Sequence, residues 1–332
     1  MGVWHLSGMG LYPGAVTMPL TYIYLALKQA SKGDEQAKKF FETSGEKGQK
    51  LKGAPESIVI FTSKEVITGK EDGKKWEKWN NLSIRDNWFN TQKQENAPKT
   101  ITKYLSNLFK ELKDESFSEF YKEGWIKDLY FVEVSHEDFD DCYLKIGVAM
   151  HALRDKEVWV NMIGGSNQIN LSLLISGSYF AVPSRYYYIF QSQITLLHPE
   201  INKPNLNDPK NIMEILDKKW HEIPVFQLGL GELIVKIDEL FERREKIALG
   251  EVENILRELG YSKQHLAKLR GRIINVDGNT VSKEPLFEKI KNMIIKIKEQ
   301  NVKNVSDWLK WCKKKDILWK CSLDGNLEKL NE

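Results

Sequence analysis

The chain has 332 residues, of which 41% are apolar, so it can bury the core of one large domain or of two ordinary ones. Its 49 basic and 46 acidic residues leave a formal net charge of +3, which argues against a protein that coats nucleic acid non-specifically but leaves room for a local basic pocket. The three scattered cysteines, Cys142, Cys312 and Cys321, show neither a disulfide framework nor the spacing of a zinc site.

The N-terminal segment shows no targeting signal. Residues 1–10 lack a basic leader followed by a long apolar core, so we expect no signal peptide. The apolar stretch that follows, "AVTMPLTYIYLAL", contains Pro19 and is too short to span a bilayer. We therefore expect a soluble, cytoplasmic protein with no membrane partner. Abundant Lys and Glu beside so few cysteines are also typical of proteins from thermophiles.

Five apolar segments in the first 200 residues predict buried strands. In chain order they read "VWHLSG", "SIVIFTS", "DLYFVEVS", "EVWVNMIGG" and "SRYYYIFQ". Helical segments lie between them; in the first, Thr17 is expected to cap a helix that has Pro19 in its first turn. Apolar strands that alternate with helices are typical of a mostly parallel sheet covered on both faces. We predict an α/β domain of this kind over residues 1–205.

The rest of the chain, residues 206–332, is predicted to be a mainly helical second domain. The stretch "PEINKPNLNDPKN" is typical of a linker, and four helical segments follow it. Asp277-Gly278 lies between two segments of alternating polarity, which is a strong hairpin signal. Two short helices with a tight turn at Gly260-Tyr261, followed by this hairpin, predict a winged helix-turn-helix. The chain is expected to end in a packed helix that carries the last two cysteines.

Two glycine-containing loops end the first and fourth predicted strands. They are Ser7-Gly8-Met9-Gly10 and Gly164-Gly165-Ser166-Asn167. Each places backbone N–H groups near a helix N-terminus, at the strand ends where open parallel sheets bind ligands, and this favours anions such as phosphates. Either loop alone could be only a tight turn, but the two together favour a phosphate-bearing ligand. Neither a G-x-G-x-x-G dinucleotide spacing nor a G-x-x-x-x-G-K-[ST] phosphate loop is present.

The second loop carries a resemblance to a known family. The strand end "VNMIGGSN", residues 160–167, together with "WHLSGMG" near the N-terminus, resembles the CRISPR-associated Rossmann-fold (CARF) family. The resemblance implies a Rossmann-like sheet, a homodimer, and two loops that bind cyclic oligoadenylate across the two-fold interface. The helical domain is similar to that of CARF ring nucleases and CARF transcription regulators. An unrelated small phosphorylated ligand would use the same loops, so this alternative stays open.

The resemblance to ring nucleases implies a reaction that switches off type III CRISPR signalling. The 2′-hydroxyl of a bound ring, expected to be cyclic tetra-adenylate, attacks its neighbouring phosphate in line and leaves a 2′,3′-cyclic phosphate. No metal or other cofactor is expected. Ser7 would hold the reacting ribose or phosphate. The remaining contacts to the ligand are expected from Gly8, Met9, Gly10, Gly164, Gly165, Ser166, Asn167 and Gln168.

The catalytic cation is the point at which this sequence departs from the family. Ring nucleases of this architecture commonly carry a lysine near the second loop, where this chain has the neutral residues Ser166, Asn167 and Gln168. Arg185, just before the fifth strand, or Lys64, after the second, could take its place. The favoured reading of each is nevertheless a solvated surface charge, so the departure leaves catalysis more in question than binding.

The alternative function is a non-catalytic cyclic-oligoadenylate sensor that regulates transcription by binding DNA. Four basic residues in and near its predicted recognition segment support this reading: Lys263, Lys268, Arg270 and Arg272. Glu258 and Glu284 make the local charge mixed, and winged helices often serve only in dimerisation. DNA is therefore the less favoured partner.

Signatures of other nucleases are weak in this sequence. The R-x(4–6)-H motif of HEPN ribonucleases is not met, since seven residues separate Arg257 from His265. The densest acidic stretch, "SHEDFDD", is interpreted as a helix start rather than a metal site. In that interpretation Ser135 caps the helix and Asp138 completes a capping box.

Overall fold

Strands and helices alternate along the first part of the chain. The computed structural model describes residues 2–41, 54–114, 117, 126, 128–223, 229–242, 244–262, 266–267 and 269–331. The strands are β1 Val3–Gly8, β2 Pro55–Thr62, β3 Lys70–Glu71, β4 Lys74–Lys75, β5 Asp128–Glu133, β6 Val158–Asn161, β7 Arg185–Ile189, β8 Trp220–Glu222, β9 Ile247–Ala248, β10 Ile274–Asp277, β11 Thr280–Lys283, β12 Leu318–Ser322 and β13 Leu327–Lys329. The helices are α1 Gly14–Ser31, α2 Glu35–Phe41, α3 Lys64–Thr68, α4 Glu77–Asn81, α5 Ala97–Leu112, α6 Phe139–Ala152, α7 Asn167–Phe180, α8 Ile212–Lys219, α9 Leu230–Phe241, α10 Leu249–Glu258, α11 Pro285–Lys298 and α12 Val305–Lys314.

The largest sheet has the strand order β13-β12-β5-β2-β1-β6-β7-β8. Its central strands β5, β2, β1, β6 and β7 are parallel, whereas the strands added at either edge are antiparallel. These central strands are the five predicted ones, so the mostly parallel, Rossmann-like α/β fold is confirmed. The chain runs outward from β1 through β2 to β5, then crosses to β6 on the other side of β1. Ligands of such sheets bind where the order reverses, beyond the carboxyl ends of β1 and β6.

Alternate residues of the central strands face two separate cores. In β2, Ile58 and Ile60 contribute to the core that α1 and α5 cover, whereas Val59 and Phe61 contribute to the core that α6 and α7 cover. A strand buried on both faces needs apolar residues at every position, which is why these segments read as continuous apolar runs. In the described parts of the chain, no helix combines the length and the apolar character needed to cross a bilayer.

Helix α1 begins earlier than predicted. Its first residue is Gly14, where a Cβ would lie 2.1 Å from the Leu196 carbonyl oxygen, so glycine lets the loop after β7 pack onto this helix end. Thr17 is not the cap, because it is fully buried and its hydroxyl donates to the Leu197 carbonyl oxygen. Pro19 consequently lies in the second turn rather than the first.

The C-terminal segment returns to the large sheet, so residues on both sides of the predicted boundary at residue 205 contribute to that sheet. Strand β12 pairs antiparallel with β5, and Trp308 of α12 packs edge-on against Trp4 of β1, with 6.3 Å between the ring centroids. Strand β8 pairs with β7, and helix α8 packs against α1. The predicted second domain therefore contributes a strand to the sheet and a helix to the layer that covers it. The expected C-terminal helix is only partly present: α12 carries Cys312, but Cys321 lies in β12.

Residues 229–298 include a helical unit with its own core. Helices α9, α10 and α11 bury apolar side chains together with the small sheet of β9, β11 and β10. The hairpin predicted at Asp277-Gly278 is confirmed, with Val276 opposite Val281. Lys263 and Lys268 of the predicted recognition segment lie outside the described residues. The winged helix-turn-helix therefore stays a prediction.

Candidate functional site

The two glycine loops meet at the point where the strand order reverses, and they pack backbone to backbone. A Cβ on Gly8 would lie 2.9 Å from the Gly164 carbonyl oxygen and 2.7 Å from Ile169 Cγ2. A Cβ on Gly164 would in turn lie 2.8 Å from the Gly8 carbonyl oxygen. Gly165 has a φ of +93°, which other residues adopt only with strain. The close approach that these glycines permit is thus, first of all, the approach of one loop to the other.

Asn161, the last residue of β6, ties both loops to helix α1. Its side-chain N–H groups donate to the Ser7 hydroxyl at 3.1 Å and to the Ala15 carbonyl oxygen at 2.9 Å. Its side-chain oxygen accepts the Ile163 N–H at 2.9 Å, and the Ser7 hydroxyl donates to the Gly8 carbonyl oxygen at 2.9 Å. Both side chains are buried. Ser7 was predicted to hold the ribose or phosphate of a ligand, but its hydroxyl is engaged within the protein. Sequence reasoning assigned Asn161 no role.

Only part of the predicted set of backbone N–H groups is open to a ligand. The Met9 N–H donates to the Phe61 carbonyl oxygen at 3.0 Å, and the Met9 carbonyl oxygen accepts the Thr62 hydroxyl at 2.7 Å. Met9 therefore extends the pairing of β1 with β2, and its N–H is not available to a ligand. The N–H groups of Gly10 and Gly164-Gly165 donate to no residue within the described ranges. A Cβ on Gly10 would meet nothing within 4 Å, so the space beside it is open.

Helix α7 begins at the second loop. Ser166 caps it by accepting the Ile169 N–H at 3.3 Å, and the Ser166 hydroxyl donates to the His136 carbonyl oxygen at 3.0 Å. Ser166 is thus a structural residue rather than the free hydrogen-bonding group that was predicted. Asn167 and Gln168 follow in the first turn, where the helix N–H groups and dipole favour an anion. Their side chains have no hydrogen-bond partner among the residues described, so they can reach a ligand.

The acidic stretch after β5 starts helix α6, though not in the predicted way. Asp138, not Ser135, is the cap residue, and its Oδ1 accepts two N–H groups of the first turn. Asp141 accepts the Ser135 N–H at 2.7 Å and pairs with Lys145 at 2.8 Å. Across the described residues, no group of three or more His, Cys, Asp or Glu side chains could hold a metal ion. The same loop brings the backbone carbonyl of His136, a residue that sequence reasoning missed, to Ser166 of the second glycine loop.

Of the two predicted cations, one lies at the edge of the glycine loops and the other does not. Lys64 begins α3 directly beyond β2, is exposed, and pairs with no carboxylate of the described residues. Arg185 begins β7, so about 13 Å of strand separates it from the carboxyl edge. Its guanidinium lies 4.5 Å from the Trp159 ring centroid, donates to the Phe40 carbonyl oxygen at 2.7 Å, and pairs with Glu222 at 3.2 Å. The structure therefore does not bring Arg185 to the glycine loops: it lies at the amino ends of the strands and is engaged there.

Replacing Arg185 with alanine is expected to lower the free energy of unfolding by about 2 kcal/mol, because a charged hydrogen bond and ring contacts are lost. Binding of an anionic ligand at the glycine loops should not change. Lys64→Ala is the matched variant, with an unchanged unfolding midpoint and a weaker ligand affinity. Urea denaturation and ligand titration of both proteins measure these effects. An Arg185→Ala protein that is as stable as wild type but no longer binds the anionic ligand would contradict the placement of Arg185 away from the glycine loops.

Large apolar side chains are exposed at the same edge of the sheet. Leu171 is 49% exposed, Phe190 59% and Ile194 52%. Leu171 lies in the first half of α7, Phe190 directly follows β7, and the Ile194 backbone packs near the start of α1. Clustered exposed apolar groups mark interaction surfaces more often than isolated ones do. Three exposed apolar side chains therefore lie on segments next to those that carry the glycine loops.

The surface around the predicted wing is mixed in charge. Arg270 and Arg272 are exposed, and the Arg270 guanidinium donates to the Val276 carbonyl oxygen at 3.2 Å. Asp277, also exposed, stands at the end of β10 next to the hairpin turn. The described part of this surface thus offers both signs of charge to a partner.

Comparison with known proteins gives one relative at high identity. No protein-family model matches the chain. A solved structure of Enterococcus italicus Csm6 bound to cyclic hexa-2′-fluoro-hexa-dAMP is similar at a TM-score of 0.33 and 8% identity, a level that establishes no shared fold. That match covers 91% of this chain and 55% of the Csm6 chain, so this chain spans about half its length. An uncharacterized protein of Archaeoglobus fulgidus is 44% identical over 314 residues, which cover 92% of this chain and 94% of that protein. At this identity over nearly the whole of both sequences, the chain belongs to the same family as the Archaeoglobus fulgidus protein.

Proposed function

We propose that the chain is a CARF-type protein that binds cyclic oligoadenylate at the two glycine loops and cleaves it as a ring nuclease. The observation that carries this proposal is the meeting of the loops at the point where the strand order reverses. Gly10, Gly164-Gly165 and the first turn of α7 present N–H groups at one edge, which is the chemistry that holds phosphates. Asn167 and Gln168 add neutral hydrogen-bonding groups for ribose or base.

The proposed cleavage uses the ring's own 2′-hydroxyl as nucleophile. The loops hold the ribose and the neighbouring phosphate in line, and orientation of this kind lowers the barrier without a cofactor. Negative charge grows on the phosphate oxygens during the attack, and the loop N–H groups and Lys64 stabilise it. The products carry a 2′,3′-cyclic phosphate. Ser7 acts beneath the loops, since its buried hydroxyl positions the Gly8 backbone.

A homodimer is part of the same proposal. A ring of several nucleotides is larger than the edge of one sheet, and two copies related by a two-fold axis would present four glycine loops to it. The exposed apolar side chains of Leu171, Phe190 and Ile194 border the loops and would be covered by such a contact. Light scattering is expected to give twice the mass of the chain, and Phe190→Asp to give a monomer that no longer binds the ring.

A second candidate is a sensor without nuclease activity. Helix α7 begins at the second glycine loop, and its other end packs on the helical unit, where a Cβ on Gly231 of α9 would lie 3.0 Å from the Tyr179 carbonyl oxygen. A ligand that moves the start of α7 would therefore also move α9. The unit could then pass the signal to DNA or to another partner.

The test is a single-turnover assay with excess protein, labelled cyclic tetra-adenylate and EDTA. Conversion to linear di-adenylate with a 2′,3′-cyclic phosphate is the expected result. Tight binding without conversion would exclude the nuclease and favour the sensor. Failure to bind rings of four and of six nucleotides would overturn the proposal altogether.

Gly10→Ala is expected to weaken ring binding at least tenfold, about 1.4 kcal/mol, while unfolding stays within about 0.5 kcal/mol of wild type. The added methyl meets open space in the free protein, so only an approaching ligand would be hindered. Gly250→Ala, at the start of α10 and equally open, is the matched control. Ring affinity measured by filter binding should fall for the first variant alone. Equal affinities would show that the ligand does not approach Gly10.

A further inference from the structure

One side-chain hydrogen bond joins the loop after β5 to the loop after β6. Ser166, the cap residue of α7, donates its hydroxyl proton to the His136 carbonyl oxygen at 3.0 Å. The two loops come together because α6 and α7, which follow these strands, pack side by side on one face of the sheet. His136 is thereby held at the start of α7, beside the turn that carries Asn167 and Gln168.

The contact to the second loop is made by the His136 backbone, and the imidazole of this residue adds an ionisable group next to a loop whose side chains are neutral. Its side chain is 50% exposed, so it is open to solvent rather than packed in a core. The Glu137 carboxylate lies 3.9 Å from Nε2, and the two form an ion pair when the imidazole carries both protons. Asp138 and Asp141 are engaged by backbone N–H groups of their own loop and helix, and Asp141 also by Lys145.

We propose that His136 is the general acid of the ring-opening step, an inference that rests on the proposed function. In this step the ribose 2′-oxygen bonds to phosphorus, the bond between phosphorus and the 5′-oxygen breaks, and the 2′-hydroxyl proton passes to water. The protonated imidazole gives its proton to the departing 5′-oxygen and regains one from solvent, so nothing else is consumed. The loops and Lys64 stabilise charge, but neither supplies this proton. Histidine is the side chain most often used for such transfers, which accelerate reactions about 100-fold or more.

The experiment compares wild type, His136→Gln and His221→Gln in single-turnover cleavage of cyclic tetra-adenylate, with ring affinity measured in parallel. His221 is exposed in the edge strand β8 and serves as the matched control. His136→Gln is expected to bind the ring as wild type does but to cleave it about 100-fold more slowly. Imidazole added to the assay should partly rescue cleavage by His136→Gly, because it replaces the missing proton donor.

The other possible outcomes distinguish a failure of the role of His136 from a failure of the proposed function. A His136→Gln rate within about threefold of wild type, well short of a general-acid effect, overturns the role of His136 and leaves the proposed function standing. Loss of ring affinity with an unchanged rate at saturating protein would make His136 a binding residue and also overturn the inference. Wild-type protein that binds but does not cleave overturns the nuclease and the general acid together. An unchanged urea midpoint for His136→Gln establishes that a rate loss does not come from unfolding.

Discussion

Replacing Gly8 with valine is expected to lower the free energy of unfolding by about 3 kcal/mol, the upper end of the usual cost of overpacking, and to abolish ring binding. The new side chain would press on the Gly164 carbonyl oxygen and on Ile169 Cγ2, both less than 3 Å from the position of its Cβ. The isoleucine methyl can turn away, but the carbonyl belongs to the backbone of the second loop. The two loops must therefore separate, and their N–H groups can no longer donate to the same ligand.

The urea midpoint and the affinity for cyclic tetra-adenylate measure these two effects separately. Gly10→Ala is the matched control, because its methyl enters open space and should leave the midpoint in place. An unchanged midpoint for Gly8→Val would contradict the packing of the loops. A lowered midpoint with full affinity would show that the ligand does not need the loops in contact.

Replacing Asn161 with alanine is expected to cost about 3 kcal/mol, since three buried hydrogen bonds are lost at about 1 kcal/mol each. The change leaves the Ala15 carbonyl oxygen and the Ile163 N–H without their partner, and it removes the donor to Ser7. Because these groups belong to α1, to the second loop and to β1, ring binding should be lost as well. Thermal or urea unfolding with parallel ring titration is the measurement.

The Ser7→Ala variant measures how much of this effect depends on the serine hydroxyl alone. Ser7→Ala removes one hydroxyl from the same network and is expected to cost about 1 kcal/mol, with ring binding weakened rather than lost. Asn167→Ala, an exposed change six residues after Asn161, should leave the unfolding midpoint unchanged. If Ser7→Ala proved as costly as Asn161→Ala, the asparagine would not be the centre of the network. If Ser7→Ala abolished cleavage at full affinity and stability, its hydroxyl would act directly on the ring.

The sequence predicted the elements that depend on local pattern. All five central strands were found, because a parallel strand buried on both faces is apolar at nearly every position. The hairpin at Asp277-Gly278 was found from its turn residues. The same signal at Asp324-Gly325 was overlooked, although Gly325 has a φ of +91° and the strands beside it pair. This dipeptide therefore marks a C-terminal hairpin at a place where a helix was expected.

The sequence predicted that the two glycine loops lie close together, but it did not predict the contacts that their residues make. Both glycine loops follow apolar strands, and parallel strands end at a common edge, so their proximity could be predicted. Whether a hydroxyl or N–H in them is free depends on neighbours distant in the chain. Ser7 meets Asn161, Met9 meets Phe61, and Ser166 meets His136.

Sequence by itself thus determined the α/β class, the five central strands and the edge of the sheet at which the two glycine loops meet. Tertiary structure decided that Arg185 stands at the opposite edge, that the C-terminal strands complete the large sheet, and that His136 joins the second loop. The physical reason is the range of the interactions involved. Hydrophobic periodicity and turn chemistry act between near neighbours in the chain, whereas hydrogen-bond partners and strand neighbours are chosen only when the whole sheet is assembled.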